Sequence, residues 1–276
     1  MFIRGSVKLN GLKTAGGKLR SFVKRNKKNV AAGFMLLLLA GIAYAGPRAV
    51  ADVANNAAIS ARELPIYCVD RDDKVVALTF DAAWGNEDTQ KILDILEKHN
   101  VKVTFFATGG WVEAYPDDVK KIIEAGHAFG NHSENHKFMT RLTDEQKKQE
   151  LMKVHDKVKA LTGYEMCLFR PPYGDYNDAV VKVADSLGYY TIQWSVDSLD
   201  WKDYGVDSIV RTVTQHKSLD SGAIILMHNG AKYTADALDS IITSLEEQGY
   251  SFVTVAELIH TGKYHMDHTG KQIADE

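Results

Sequence analysis

Two histidines lie four residues apart in the segment HSENH, at His132 and His136. This spacing brings two imidazole rings together on one turn, where both can bind a single divalent cation. The chain has only 2 cysteines among 276 residues, so a four-thiolate zinc site is excluded and a metal must be held by histidines and carboxylates. From the spacing alone, a solvated polar loop explains the pair equally well.

Other polar residues stand at the ends of apolar runs that have the length of a β-strand. They are Asp81 after VVALTF, His132 after HAFGN, Arg170 closing MCLFR, Asp197 after YTIQWSV and His228 closing AIILMH. The carboxyl ends of the strands of a (β/α) barrel share one rim, and such barrels place their active sites there. The positions therefore predict one site built from five strand ends.

The elements that must position these residues are predicted from the hydrophobic pattern. Seven candidate strands cover residues 75–80, 103–108, 127–131, 166–170, 190–196, 223–228 and 252–255. Amphipathic helices separate them, including 87–99 and 143–161, the second beginning with a capping box. The alternation predicts an α/β fold with a parallel sheet, and the five polar strand ends favour a closed barrel over an open, doubly wound sheet.

Five ordered motifs resemble those of the NodB-type polysaccharide deacetylases, carbohydrate esterase family 4. The motifs are TFDAAWG (79–85), HSENH (132–136), RPPYG (170–174), DSLDW (197–201) and LMH (226–228). The resemblance covers residues 74–260, and the TFD-x-x-WG form is similar to the sporulation-associated branch. It implies a distorted (β/α) barrel of about seven strands that uses a divalent metal to remove acetyl groups from a polysaccharide.

The resemblance also implies catalytic roles. Asp81 would be the general base, held in place by Arg170. His228 would be the general acid, with Asp200 as its charge partner.

The same resemblance gives the metal ligands and substrate contacts. His132 and His136 would bind the metal, with zinc favoured and cobalt as an alternative. The backbone N–H of Tyr173 would face the oxyanion, and the rings of Tyr173 and Trp201 would face a sugar. Leu226 would contact the acetyl methyl group.

One position departs from the family pattern. The second aspartate that usually follows the base, and supplies a third metal ligand, is replaced by Ala82. Asn86, Glu87 and Asp88 are candidates to fill the gap, but they are also typical of the first turn of a helix. Asp81 could itself bind the metal, which would cost it the role of free base.

The N-terminal part of the chain has a targeting pattern. Residues 1–28 hold nine Lys and Arg and no acid, and the run from Val30 to Gly46 is apolar and uncharged. This pattern predicts a basic cytoplasmic arm followed, at 29–46, by a transmembrane anchor or a signal segment, and the long arm favours the anchor. We therefore expect a single-pass cell-membrane protein with an extracytoplasmic catalytic domain, or a secreted protein if the segment is cleaved.

The remaining regions are predicted to be a linker at 47–73, a catalytic domain at 74–260 and a polar tail at 261–276. Of the 33 Lys and Arg, nine precede residue 29, which leaves 24 against 36 Asp and Glu, a formal charge of −12 that argues against a nucleic-acid partner. Outside the cytoplasm Cys68 and Cys167 could pair, but we expect two free, buried thiols.

The predicted function is metal-dependent N-deacetylation of amino sugars in a cell-wall glycan, with peptidoglycan favoured as the substrate. An alternative is a catalytically weak or inactive wall-glycan-binding protein that lost its metal through Ala82. A third hypothesis, a glycosidase using Asp81 and Asp200, needs these carboxylates about 5 to 9.5 Å apart across a sugar cleft. The sequence predicts no oligomeric state.

Overall fold

The structure is a computed structural model and describes residues 62–275. Its strands are β1 (Cys68–Val69), β2 (Val75–Ala82), β3 (Thr104–Ala107), β4 (Ala128–Asn131), β5 (Leu168–Phe169), β6 (Tyr190–Thr191), β7 (Val196–Asp197), β8 (Ala223–Asn229), β9 (Ser251–Phe252), β10 (Tyr264–Met266) and β11 (Lys271–Ala274). Its helices are α1 (Thr89–Lys98), α2 (Gly109–Ala114), α3 (Pro116–Glu124), α4 (Asp144–Thr162), α5 (Asp178–Ser186), α6 (Val206–Thr214), α7 (Thr234–Glu247) and α8 (Val255–Leu258). Short 3₁₀ turns lie at Met139–Arg141, Pro172–Gly174 and Asp200–Lys202.

All the described strands belong to one sheet that curves into a distorted barrel. Strands β2 to β6 pair in parallel in chain order, and β8 pairs in parallel with β2 and with β7. The predicted fifth strand is split into β6 and β7 by residues 192–195, where Ile192 forms a bridge with Ile66. The α/β class is confirmed, and the curved parallel sheet agrees with the predicted barrel.

The central strands are buried on both faces, which explains their continuous apolar sequences. All eight residues of β2 are buried. Because side chains alternate along a strand, Leu78 and Phe80 join the cluster under the helices, while Ala77 joins a second cluster with Phe106 and Ile224. The interior of the curved sheet is therefore a packed core below the rim that carries the polar groups.

Helices cover the outer face, and the two whose bounds the sequence predicts, α1 and α4, begin and end within one or two residues of the prediction. In α1 the apolar face packs inward through Ile92, Leu93 and Leu96. The Thr143 hydroxyl accepts from the backbone N–H of Gln146 and the Gln146 side chain accepts from that of Thr143, so the predicted capping box is present.

Two predicted boundaries differ from the structure. Ile66 and Val69 are buried, and β1 pairs with β8 and β11, so the assigned linker contributes a strand from residue 68 onward. The assigned polar tail forms β10 and β11, which pair with each other and, through β11, with β1. These strands are two to four residues long, so they carry no hydrophobic period that a sequence pattern could detect.

The expectation of buried thiols is wrong for both cysteines, although both are free as expected. Cys68 is half-buried and Cys167 is exposed. No helix among residues 62–275 is long and apolar enough to cross a bilayer, and the predicted anchor or signal segment at 29–46 lies outside the described residues.

Candidate active site

Asp81 lies near the end of β2 and is held by a buried arginine. Arg170 donates from Nη1 to Asp81 Oδ1 at 2.7 Å and to Thr79 Oγ1 at 2.8 Å. Arg170 has no exposed surface, and its guanidinium lies 4.2 Å from the ring centre of Phe106. Burial raises the pKa of Asp81, but the charge of Arg170 and its hydrogen bond outweigh this effect, so the pKa is lowered and the carboxylate stays ionised.

The two histidines of HSENH face each other across the rim. Their Nε2 atoms are 3.2 Å apart, and Asp81 Oδ2 lies 3.5 Å from Nε2 of His132. His132 Nδ1 lies 2.8 Å from the carbonyl oxygen of Arg170, which can only accept, so Nδ1 carries the proton and Nε2 keeps its lone pair. Burial lowers the pKa of both rings, that of His136 to about 4, so both are neutral at pH 7.

This loop is fixed by its own polar groups and by α4. Ser133 and His136 both have left-handed backbones, with φ of 67° and 51°. Asn131 Oδ1 accepts from the Ser133 N–H at 2.9 Å, and the Ser133 hydroxyl accepts from the His136 N–H at 3.0 Å. The buried Glu150 carboxylate accepts from the backbone and side-chain N–H groups of Asn135, both at 2.8 Å. These bonds hold a conformation that most residues avoid.

The donor set fits a divalent cation held by two imidazoles. Neutral ring nitrogens 3.2 Å apart suit one ion at the usual zinc–nitrogen distance of about 2.0 to 2.1 Å. No group of three or more His, Cys, Asp or Glu in residues 62–275 forms a metal-binding cluster, so the third ligand expected in the family is missing here. Ala82 is fully buried, follows Asp81 directly at the end of β2, and belongs to the apolar cluster that contains Phe80.

The loop after Ala82 does not replace the missing ligand. Asn86 donates to Asp118 at 2.6 Å, and Asp88 accepts from the Gly230 N–H at 2.9 and 3.0 Å. Glu87 is exposed. Because α1 begins at residue 89, the three residues precede the helix and do not form its first turn.

His228 lies on the same rim near the end of β8, where it is paired with Asp81 in the register of β8 and β2. Its Nδ1 is 2.7 Å from Oδ1 of Asp200, which is fully buried. The other carboxylate oxygen accepts from the His228 N–H at 2.7 Å and from the Thr234 hydroxyl at 2.6 Å. Burial lowers the pKa of His228, but Asp200 outweighs it and the pKa is raised. Thr234 had no sequence signal, because it lies outside the five motifs.

A cleft of about 770 Å³ opens above these groups. Its lining includes Asp81, Trp84, His132, His136, Tyr173, Trp194, Asp197, Trp201, Leu226, His228 and Lys232. Tyr173 and Trp201 are 61% and 52% exposed, as suits sugar-binding rings, and Leu226 is buried at the floor. Trp84 and Trp194, to which the sequence assigned no role in the site, also line the cleft, and Trp194 packs at the same time against the apolar cluster that contains Phe106.

The turn that carries Tyr173 has a left-handed backbone, with φ of 59° and ψ of 10°. The ring stacks on Phe138 with 4.4 Å between ring centres and meets His136 edge to face at 4.5 Å. Within residues 62–275 the Tyr173 backbone N–H donates to no other backbone or side-chain group, so it is free to bind a substrate oxygen.

Comparison with known proteins gives the family. A profile of the polysaccharide deacetylases matches residues 69–192. The chain is 38% identical over 201 residues to the peptidoglycan-N-acetylmuramic acid deacetylase PdaA of Bacillus subtilis, covering 70% of this chain and 74% of that one. It is 38% identical over 205 residues to the peptidoglycan-N-acetylglucosamine deacetylase PgdA of Listeria monocytogenes, covering 73% and 43%.

Solved structures agree with the family that the sequence comparisons give. A carbohydrate esterase family 4 pseudoenzyme from Bacillus anthracis superposes with a TM-score of 0.67 at 39% identity, covering 75% of this chain and 69% of that one. The chain therefore belongs to the polysaccharide deacetylase family, a class of hydrolases that act on amide bonds. The family and the enzyme class predicted from the sequence are confirmed, and the sporulation-associated branch stays a prediction.

Proposed function

We propose that the chain is a metal-dependent N-deacetylase of amino sugars in peptidoglycan. The observation that carries this proposal is the grouping of Asp81, the His132–His136 pair and His228 around the mouth of one cleft. Relatives named as peptidoglycan deacetylases support the choice of glycan. Zinc is the favoured metal, with cobalt as an alternative, because neutral imidazoles suit both.

Asp81 would act as the general base. His132 and His136 would hold the metal, which when bound polarises the acetamide carbonyl and makes its water more acidic. Arg170 occupies Asp81 Oδ1, so Oδ2 is the oxygen left to take a proton from the attacking water. The lowered pKa of Asp81 keeps this oxygen unprotonated at neutral pH.

His228 would protonate the departing amine. Asp200 holds the proton on Nδ1 and stabilises the imidazolium, so Nε2 can donate toward the cleft. The free N–H of Tyr173 would bind the oxyanion, and a donor of this kind lowers the activation free energy by about 3 to 4 kcal/mol. Trp201 and Tyr173 would contact sugar rings, and Leu226 the acetyl methyl.

A second candidate is a wall-glycan-binding protein without activity. The third metal ligand is absent at Ala82, and a structural neighbour is a pseudoenzyme. A mutant of that neighbour has restored enzymatic activity. The glycosidase hypothesis is not supported, because the Asp200 carboxylate is taken up by His228 and Thr234 and does not line the cleft.

We also propose that the catalytic domain lies outside the cytoplasm and is attached to the membrane by a single-pass anchor. This rests on the basic arm and the apolar run of the first 46 residues.

The test is acetate release by the purified full chain from N-acetylglucosamine oligomers and from peptidoglycan, with zinc content measured on the same sample. We expect the parent chain to hold about one equivalent of zinc. The His132→Ala variant should lose both the zinc and the activity. Asp81→Asn should lose activity and keep the metal. His268→Ala, an exposed histidine far along the chain, is the matched control. Glycan binding without acetate release would instead favour the binding protein.

A further inference from the structure

Trp84 is a large apolar side chain that the fold leaves in solvent. It is 51% exposed, whereas Trp111 on the neighbouring α2 is almost fully buried. Five large hydrophobic side chains among residues 62–275 are exposed, and three of them, Trp84, Tyr173 and Trp201, line the cleft. Exposed aromatic surface gathered at one concave site marks a place where a ligand binds.

The backbone around Trp84 holds the indole in this exposed position. The next carbonyl, that of Gly85, accepts from Trp111 Nε1 at 3.0 Å and from the Asn229 side chain at 3.2 Å. Gly230 lies against the base of the indole, where an added Cβ would stand 3.5 Å from Trp84 Cβ. The backbone beside Trp84 is thus held by hydrogen bonds from α2 and from the end of β8, so the exposure of the ring does not result from a loose loop.

The indole stands beside the proposed proton donor. The ring centres of Trp84 and His228 are 5.4 Å apart, with 48° between the planes. Tyr173, by contrast, contacts His136 on the metal side of the cleft. A sugar resting on Trp84 would therefore have its ring beside His228, which is where the nitrogen of the reacting acetamide must lie to receive a proton.

We propose that Trp84 is the specificity-determining platform for the pyranose whose acetamide reacts, binding the apolar face of the ring by stacking. This inference rests on the proposed function for the identity of the reacting sugar, and it adds a recognition element on the side of the general acid. The ligand class is a glycan of N-acetylated pyranoses, recognised through C–H groups on the ring face.

Calorimetric titration of the metal-free full chain with the tetramer of N-acetylglucosamine tests the platform without requiring catalysis. We expect Trp84→Ala to weaken binding about tenfold or more, because the stacking face is lost. Trp84→Phe keeps a flat ring and should bind within about threefold of the parent chain. Tyr204→Ala is the matched control, since Tyr204 is 67% exposed and lies outside the cleft lining.

The outcomes separate this inference from the proposed function. If Trp84→Ala binds the tetramer as tightly as the parent chain, or if the parent chain does not bind it, the platform is refuted. If the parent and Trp84→Phe chains bind while Trp84→Ala does not, the platform stands, even when no acetate is released and the deacetylase proposal fails. Thermal unfolding of each variant checks that the fold is retained.

Discussion

The strongest test of the proposed acid is the replacement Asp200→Asn. Asparagine keeps the shape of the side chain, and its one carbonyl oxygen can still accept from the His228 N–H and the Thr234 hydroxyl. Its amide nitrogen then faces His228 Nδ1, so the variant loses the negative charge and the oxygen that holds the Nδ1 proton. The charge sits 2.7 Å from His228 Nδ1, in a carboxylate with no exposed surface.

The size of the effect follows from this geometry. With charge centres about 4 Å apart and an effective dielectric constant of about 20, the attraction is about 4 kcal/mol, equivalent to about 3 pH units. The ring borders an open cleft, so we expect about 1 to 2 units. Because a protonated acid is needed, activity falls as pH rises through the raised pKa of His228, and this alkaline limb should move to lower pH in the variant.

The assay is acetate release from N-acetylglucosamine oligomers as a function of pH, with kcat determined at each point. At pH 7 a downward shift of about 1 to 2 units lowers the protonated fraction of His228, and with it kcat, by at most about 10- to 100-fold. Asp197→Asn is the comparison, because Asp197 raises the pKa of His228 less than Asp200 does. An unchanged alkaline limb in Asp200→Asn, or equal shifts in both variants, refutes the assignment of His228 as the acid.

Three further predictions concern stability and metal binding. Arg170→Met leaves the buried carboxylate of Asp81 without a partner and should lower the free energy of unfolding in urea by about 3 to 5 kcal/mol. The double variant with Asp81→Asn should recover part of this loss. An unchanged urea midpoint in Arg170→Met contradicts the prediction. Ala82→Asp places a carboxylate among apolar neighbours, so the metal-free chain should unfold at a lower temperature and zinc should raise that temperature more than in the parent chain; equal zinc shifts would mean that residue 82 cannot reach the site. Glu150→Gln weakens the bonds that hold Asn135 and should lower zinc affinity about tenfold, while Glu145→Gln on the exposed face of α4 should not.

The parts of the fold that the sequence predicts are those with a strong local signal. Strand β2 is a continuous apolar run because both faces are covered, and α4 begins at a capping box whose two bonds need only Thr143 and Gln146. The polar residues at strand ends meet at one rim because parallel strands end on the same side. These local and topological rules were enough to bring Asp81, His132 and His228 together.

The parts that the sequence could not predict depend on contacts between distant segments. Residues 68–69 form a strand only because β8 and β11 lie beside them, and their own two-residue pattern carries no period. The bond from Thr234 to Asp200 joins residues 34 apart in the chain, and no motif links them. Trp194 packs against the apolar cluster that contains Phe106 and also lines the cleft, a position that depends on the break between β6 and β7.

The pairing of Asp81 with His228 in the register of β2 and β8 has a consequence for how this domain can diversify. Neighbouring strands lie about 4.8 Å apart, so the separation of the proposed proton acceptor and proton donor is built into main-chain hydrogen bonds. The loops that carry neither Asp200 nor the histidines of HSENH are therefore free to lengthen, shorten or change composition without disturbing the reaction centre. Exchanging these loops with those of a relative should alter which glycan is accepted and leave the pH profile of the chemical step in place.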